Sequence, residues 1–125
     1  MKKFFTILLP ICLLLAINNS ATSQEVDENK KILKIGVLLP LSGEYEILGK
    51  SFLKAIQLAL YDISNDKVII YPKDSKANAL DAYRSAKDFE GEGIKIVIGP
   101  IFYESLERLN EIKNITFISM TNKNN

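Results

Sequence analysis

Histidine is absent from the 125 residues and cysteine occurs once, at Cys12. A Ser–His–Asp relay, a Cys–His pair and the common transition-metal ligand sets are therefore out of reach. No Gly-x-Gly-x-x-Gly turn follows the first apolar run of the domain and no Walker-type phosphate loop occurs, since Gly43 and Gly49 fit neither spacing. Asp74 and Glu104 are two carboxylates that could share a cleft as acid and base, but loop acids at strand ends are ordinarily solvated. The expectation is a chain that is not an enzyme, with no metal and no cofactor. What remains is recognition, by hydroxyls, aromatic rings and backbone amides. With 16 basic against 15 acidic side chains there is no charge excess to hold phosphates, so nucleic acid is not an expected partner.

The elements that must position such groups are legible from periodicity. Residues 32–39 form a nearly continuous Ile/Leu/Val run, stopped by Pro40-Leu41-Ser42-Gly43, which reads as a strand buried on both faces. Over residues 44–63, Leu48, Phe52, Ala55, Ile56, Ala59, Leu60 and Ile63 recur at helical spacing. The β-branched run Val68-Ile69-Ile70-Tyr71 before Pro72 predicts a second strand. Asn78, with Asp81 three residues on, then caps a helix carrying Ala79, Leu80, Tyr83, Ala86 and Phe89 that ends at Gly91-Glu92-Gly93. A strand over 94–98 stops at Gly99-Pro100, a short helix over 104–112 turns Leu106, Leu109 and Ile112 inward, and Ile115-Thr116-Phe117-Ile118 closes the series as a fourth strand.

Strands alternating with helices in βαβαβαβ order predict an α/β fold, a parallel sheet of about four strands with helices on both faces. Ligands of such sheets sit at the carboxyl ends of the strands, which selects the loops 40–45, 73–77, 99–103 and 119–122. Helix starts near Gly43 and Tyr103 would offer free backbone N–H groups to an anion, while Ser42-Gly43 is equally readable as a tight turn with a cap.

The first 31 residues are read separately. Lys2 and Lys3, an apolar run over 4–17 and the polar, small-residue exit Asn18-Asn19-Ser20-Ala21-Thr22-Ser23 have the order of an export signal, so 1–23 is read as a signal peptide cleaved after Ser23. The run is shorter than the roughly 20 residues that span a bilayer and holds Pro10, so no stable membrane anchor is expected after cleavage. Cys12 lies in Leu9-Pro10-Ile11-Cys12 with apolar residues still to follow, which argues against an acylated lipoprotein start. Without the leader, 14 basic face 15 acidic side chains and no cysteine remains. Residues 24–31, QEVDENKK, form a polar, flexible lead-in. Asn114-Ile115-Thr116 fits the N-glycosylation triplet, though its expected role is to enter the fourth strand.

Lys34-Ile-Gly-Val-Leu-Leu-Pro-Leu-Ser-Gly43, Gly49 opening a long helix, Ile96-Val-Ile-Gly-Pro100, and Phe117-Ile-Ser119 with Thr121 form an ordered set. That set resembles the start of a type I periplasmic binding protein of the leucine-binding-protein superfamily. The resemblance implies an exported, periplasmic protein that captures an amino acid or similar small solute for an ABC transporter. The same superfamily includes penicillin-binding-protein activators, to which Leu38-Leu-Pro-Leu-Ser-Gly43 with Ile98-Gly-Pro100 is slightly closer. That alternative implies a regulator of peptidoglycan synthesis acting by protein contact. The expected partners are thus an amino-acid-like solute and either an ABC permease or a penicillin-binding protein.

Carried onto this sequence, the family's ligand loops correspond to Ser42, Gly43, Tyr45, Phe102, Tyr103, Ser119 and Thr121. Tyr103 stands where amino-acid binders have a first serine, and Glu104 would repel a ligand carboxylate. Tyr45, Phe102 and Tyr103 imply an apolar or ring-bearing solute. Family members run to several hundred residues, so 32–125 is expected to be a partial lobe, with sheet edges that favour association.

Overall fold

The computed structural model describes residues 31–121; the expected leader and all but Lys31 of the lead-in, like Asn122, lie outside the described residues. The elements are β1 (Leu33–Leu39), α1 (Glu46–Ile63), β2 (Val68–Asp74), α2 (Ala79–Gly91), β3 (Ile96–Ile98), two 3₁₀ turns (Tyr103–Leu106 and Leu109–Glu111) and β4 (Thr116–Ile118). The strands form one sheet in the order β2-β1-β3-β4, and every neighbouring pair is parallel. The predicted α/β class and its four-stranded parallel sheet are what the structure shows.

Register separates the two faces. Gly36 lies opposite Tyr71 on one side and Val97 on the other, and Val97 lies opposite Phe117, so this row points to one face together with Leu38. There α2 and the 3₁₀ turns close a core of Leu38, Ala82, Ala86, Phe89, Ile94 and Val97, with Leu109, Ile112 and Ile115 completing it. Gly36 is small for a reason: a Cβ there would lie 2.8 Å from Val97 Cγ2 and 3.1 Å from the Phe89 ring. The predicted Asn78 cap holds, since Asp81 N donates to Asn78 Oδ1 at 2.9 Å while Asn78 Nδ2 donates back to Asp81 Oδ2 at 2.9 Å.

The opposite face carries α1, and its burial differs from the expectation. Of the helix's residues only Gly49 is buried, and Ile63, placed on the inward stripe by its spacing, is 65% exposed. An apolar groove of about 200 Å³ runs between α1 and the strands, lined by Ile56, Leu60 and Ile63 on one side and Ile35, Ile70 and Ile98 on the other. The helix packs on β1, and β2 is the edge strand beside it, so its far flank meets no described element.

The third and fourth strands begin at Ile96 and Thr116, a little later than expected, and three further features differ. The strand expected to stop at Tyr71 continues through Pro72 to Asp74. An edge strand tolerates proline because a missing N–H need not interrupt a second ladder. The single helix expected over 104–112 is two 3₁₀ turns instead. Leu106, Leu109 and Ile112 recur every three residues, which is the 3₁₀ repeat and not the α repeat. The first strand becomes buried only from Gly36 onward, leaving Ile32 and Leu33 each 45% exposed at its amino end.

The asymmetry of the two faces predicts asymmetric mutational costs. Phe89→Ala removes the largest fully buried side chain of the α2 face and should cost about 3–5 kcal/mol in chemical denaturation. Ile63→Ala, on the sheet-facing stripe of α1 but 65% exposed, should cost no more than about 1 kcal/mol. Comparable losses from both would contradict the assignment of the core to the α2 face.

Candidate functional site

Parallel pairing carries Leu39, Asp74, Ile98 and Ile118 to one edge of the sheet, and the four expected loops with them. Close approach there depends on two glycines. A Cβ on Gly49 would lie 1.9 Å from the Pro40 carbonyl oxygen, so only glycine lets the first turn of α1 rest on the end of β1. Gly99 has φ +108, and a Cβ there would lie 2.1 Å from the Leu38 carbonyl oxygen. Gly49 thus brings α1 onto the chain just past β1, and Gly99 brings the third loop onto the backbone of β1 itself.

The first and second loops are joined through Asp74. Its Oδ1 accepts Leu41 N at 2.8 Å and Lys76 N at 2.9 Å, and its Oδ2 accepts the Ser42 hydroxyl at 2.5 Å. Ser42 therefore does not cap α1, which starts after Tyr45 with no side-chain cap bond. The first and third loops meet through rings: Tyr45 and Phe102 lie with centroids 4.5 Å apart, tilted by 51°. Pro100 joins the third loop to the fourth, its carbonyl accepting the Ser119 hydroxyl at 3.2 Å and Met120 N at 3.1 Å. Thr121 N donates to Ser119 Oγ at 3.2 Å.

Of the expected site residues, Tyr45 is thus in contact with Phe102, and Ser119 with Thr121. Gly43 is exposed at the loop tip, its carbonyl accepting Glu46 N at 3.2 Å. Tyr103 is 39% exposed and begins a 3₁₀ turn of four residues, which replaces the expected helix start. Glu104 is exposed on the same turn, whereas Ser105 beside it is fully buried. Asn114 lies before β4 at the other edge, its Nδ2 donating to Glu90 Oε1 at 3.0 Å.

Sequence reasoning did not find the loop-tying role of Asp74. Its signal was present: an aspartate at a strand end whose carboxylate accepts the amide two residues on is an Asx turn. The carboxyl is not poised as an acid. Burial pushes its pKa up, but the Ser42 hydroxyl and the amides of Lys76, Leu41 and Ser42 together outweigh that and hold it below the usual carboxylate range. No cluster of potential metal ligands occurs among the described residues.

A depressed folded-state pKa adds stability that is complete above the unfolded value and is lost as pH falls through the folded one. The stability gap between the wild type and Asp74→Ala should therefore be full at neutral pH and shrink below about pH 4. Denaturation midpoints measured across that range check this, and a gap independent of pH would contradict it.

No protein-family model matches the chain, and neither does any curated protein. Solved structures do. The C-domain of LpoA from Haemophilus influenzae, described as a regulator of PBP1A, is 24% identical with a TM-score of 0.59, over 69% of this chain and 27% of that one. A periplasmic binding protein from Burkholderia mallei is 21% identical with a TM-score of 0.62, over 71% and 26%. The leucine binding protein LivK from Thermotoga maritima is 20% identical with a TM-score of 0.64, over 70% and 27%. The matches thus span about a quarter of these neighbours' lengths. These neighbours are binding or regulatory proteins, and what the chain shares with them is the fold, the parallel α/β sheet that in those proteins forms part of a lobe.

Proposed function

We propose that this chain is an exported, periplasmic ligand-binding protein of the type I solute-binding kind, capturing an amino acid or similar small solute for an ABC transporter. The Tyr45–Phe102 ring pair, set where the parallel strands end, is the observation that carries this reading. Two rings from separate loops form a firm apolar surface at the edge where α/β sheets bind ligands. In the proposed complex they form one wall of a cleft, with Tyr103 and Thr121 beside them. One wall alone leaves most of a solute in water, so a second wall must complete the roughly 70–90% burial usual for small-molecule sites.

A second reading, a penicillin-binding-protein-activator-like regulator acting by protein contact, is supported by the state of the hydroxyls. The Ser42 hydroxyl donates its hydrogen bond to Asp74 and the Ser119 hydroxyl donates its own to the Pro100 carbonyl, so neither is free to donate to a ligand carboxylate. The exposed Glu104 also disfavours an anionic ligand group.

Calorimetric titration of the exported protein with leucine and phenylalanine, beside cross-linking in cells, separates the two. Solute capture predicts saturable binding that weakens about tenfold, or roughly 1.4 kcal/mol, in Phe102→Ala and is unchanged in Asn114→Ala. Absence of binding, together with cross-links to a peptidoglycan synthase and none to a permease, would replace it with the regulatory reading.

A further inference from the structure

Three ties meet at one residue at the end of β2. The Asp74 carboxylate holds the β1–α1 loop through Leu41 N and the Ser42 hydroxyl, and holds its own β2–α2 loop through Lys76 N. Its backbone carbonyl accepts the Ser85 hydroxyl of α2 at 3.0 Å. The next residue continues the seam, with Ser75 N donating to the Leu39 carbonyl at 2.8 Å. The neighbouring Lys73 ammonium turns elsewhere, to Glu92 at 2.9 Å and Asp88 at 3.6 Å, so Asp74 serves the loops and not an ion pair.

The loop that Asp74 holds is the one that delivers Tyr45. Pro40 is fixed against Gly49, Leu41 and Ser42 are fixed on the carboxylate, and α1 begins directly after Tyr45. Three residues on from Ser42, Tyr45 lies against Phe102. We infer that Asp74 is the positioning residue of the ligand wall: it touches no ligand, and by locking the first loop to the second it sets Tyr45 on Phe102 before any ligand arrives. A wall assembled in advance spares binding the entropy of ordering its loops. The ligand arm of this inference rests on the proposed function, whereas the locking arm does not.

The test compares Asp74→Ala, Asp74→Asn and Ser42→Ala in the full chain by amide hydrogen exchange, ring-proton chemical shifts of Tyr45 and Phe102, and titration with leucine and phenylalanine. In Asp74→Ala, exchange at Leu41 and Lys76 should accelerate at least about tenfold while Leu38 and Val97 keep their protection. The Tyr45 and Phe102 ring shifts should move together, and affinity for the amino acid that binds should fall by about tenfold.

Asparagine keeps an acceptor oxygen for the two amides and an amide group that the Ser42 hydroxyl can accept from, so Asp74→Asn should restore exchange to within roughly threefold of the wild type. Ser42→Ala, which leaves Leu41 and Lys76 anchored on the carboxylate, should move the Tyr45 and Phe102 ring shifts without accelerating exchange at Leu41 or Lys76. It decides the matter if Asp74→Ala fails to fold. Wild-type exchange at Leu41 and Lys76 in Asp74→Ala, or unmoved ring shifts in both Asp74→Ala and Ser42→Ala, would overturn the inference. If the wild type binds neither amino acid, the solute reading fails, and the exchange and ring shifts still decide the locking.

Discussion

The central strand β1 is paired in parallel on both of its edges, with β2 along seven residues and with β3 along three, and the remaining architecture depends on this. A parallel partner cannot be reached by a hairpin, so each connection must cross a face of the sheet and return to the same end. The chain therefore leaves every strand at one edge, and loops far apart in sequence become neighbours. Gly49 then lets α1 rest on Pro40 at the exit of β1, and Gly99 lets the third loop rest on Leu38 of β1, where any side chain would collide with a carbonyl.

The same topology divides the faces unequally. The β2–β3 and β3–β4 connections lie with α2 and the 3₁₀ turns on the face of Leu38 and Val97, where the core is dense. The other face has α1 alone among the described elements, and an apolar groove stays open beneath it. Core stability resides on the first face, and the carboxyl edge is held by local ties: a carboxylate between the first two loops, a ring pair between the first and third, and a proline carbonyl between the third and fourth. At this edge the hydroxyls of Ser42 and Ser119 serve the loops themselves.

Much of this was legible in the sequence. The strands announced themselves as short Ile/Val runs, and Asn78 with Asp81 announced the start of α2, because both patterns follow from local chemistry. The apolar stripe of α1 was legible too, but its burial was not, since that depends on what lies against it. The turns after β3 are not legible, because a three-residue apolar repeat over so short a segment fits a short α-helix as well as two 3₁₀ turns. Pro72 hid the end of β2, because its tolerance depends on the strand lying at an edge. Among the candidate site residues, the convergence of the loops followed from parallel topology. The Tyr45–Phe102 contact and the bonds from Leu41 and Ser42 to Asp74 did not, since they join residues separated by tens of positions and arise only from the folded geometry.

The central claim is that these loops act as one binding wall. Titration of the isotope-labelled chain with phenylalanine, followed by amide chemical shifts, tests it most directly. The account predicts shifts confined to residues 41–45, 102–103 and 119–121, with Asp66, Gly91 and Asn114 at the other edge silent. Shifts centred on that other edge or on the groove beneath α1, or none anywhere, would contradict it.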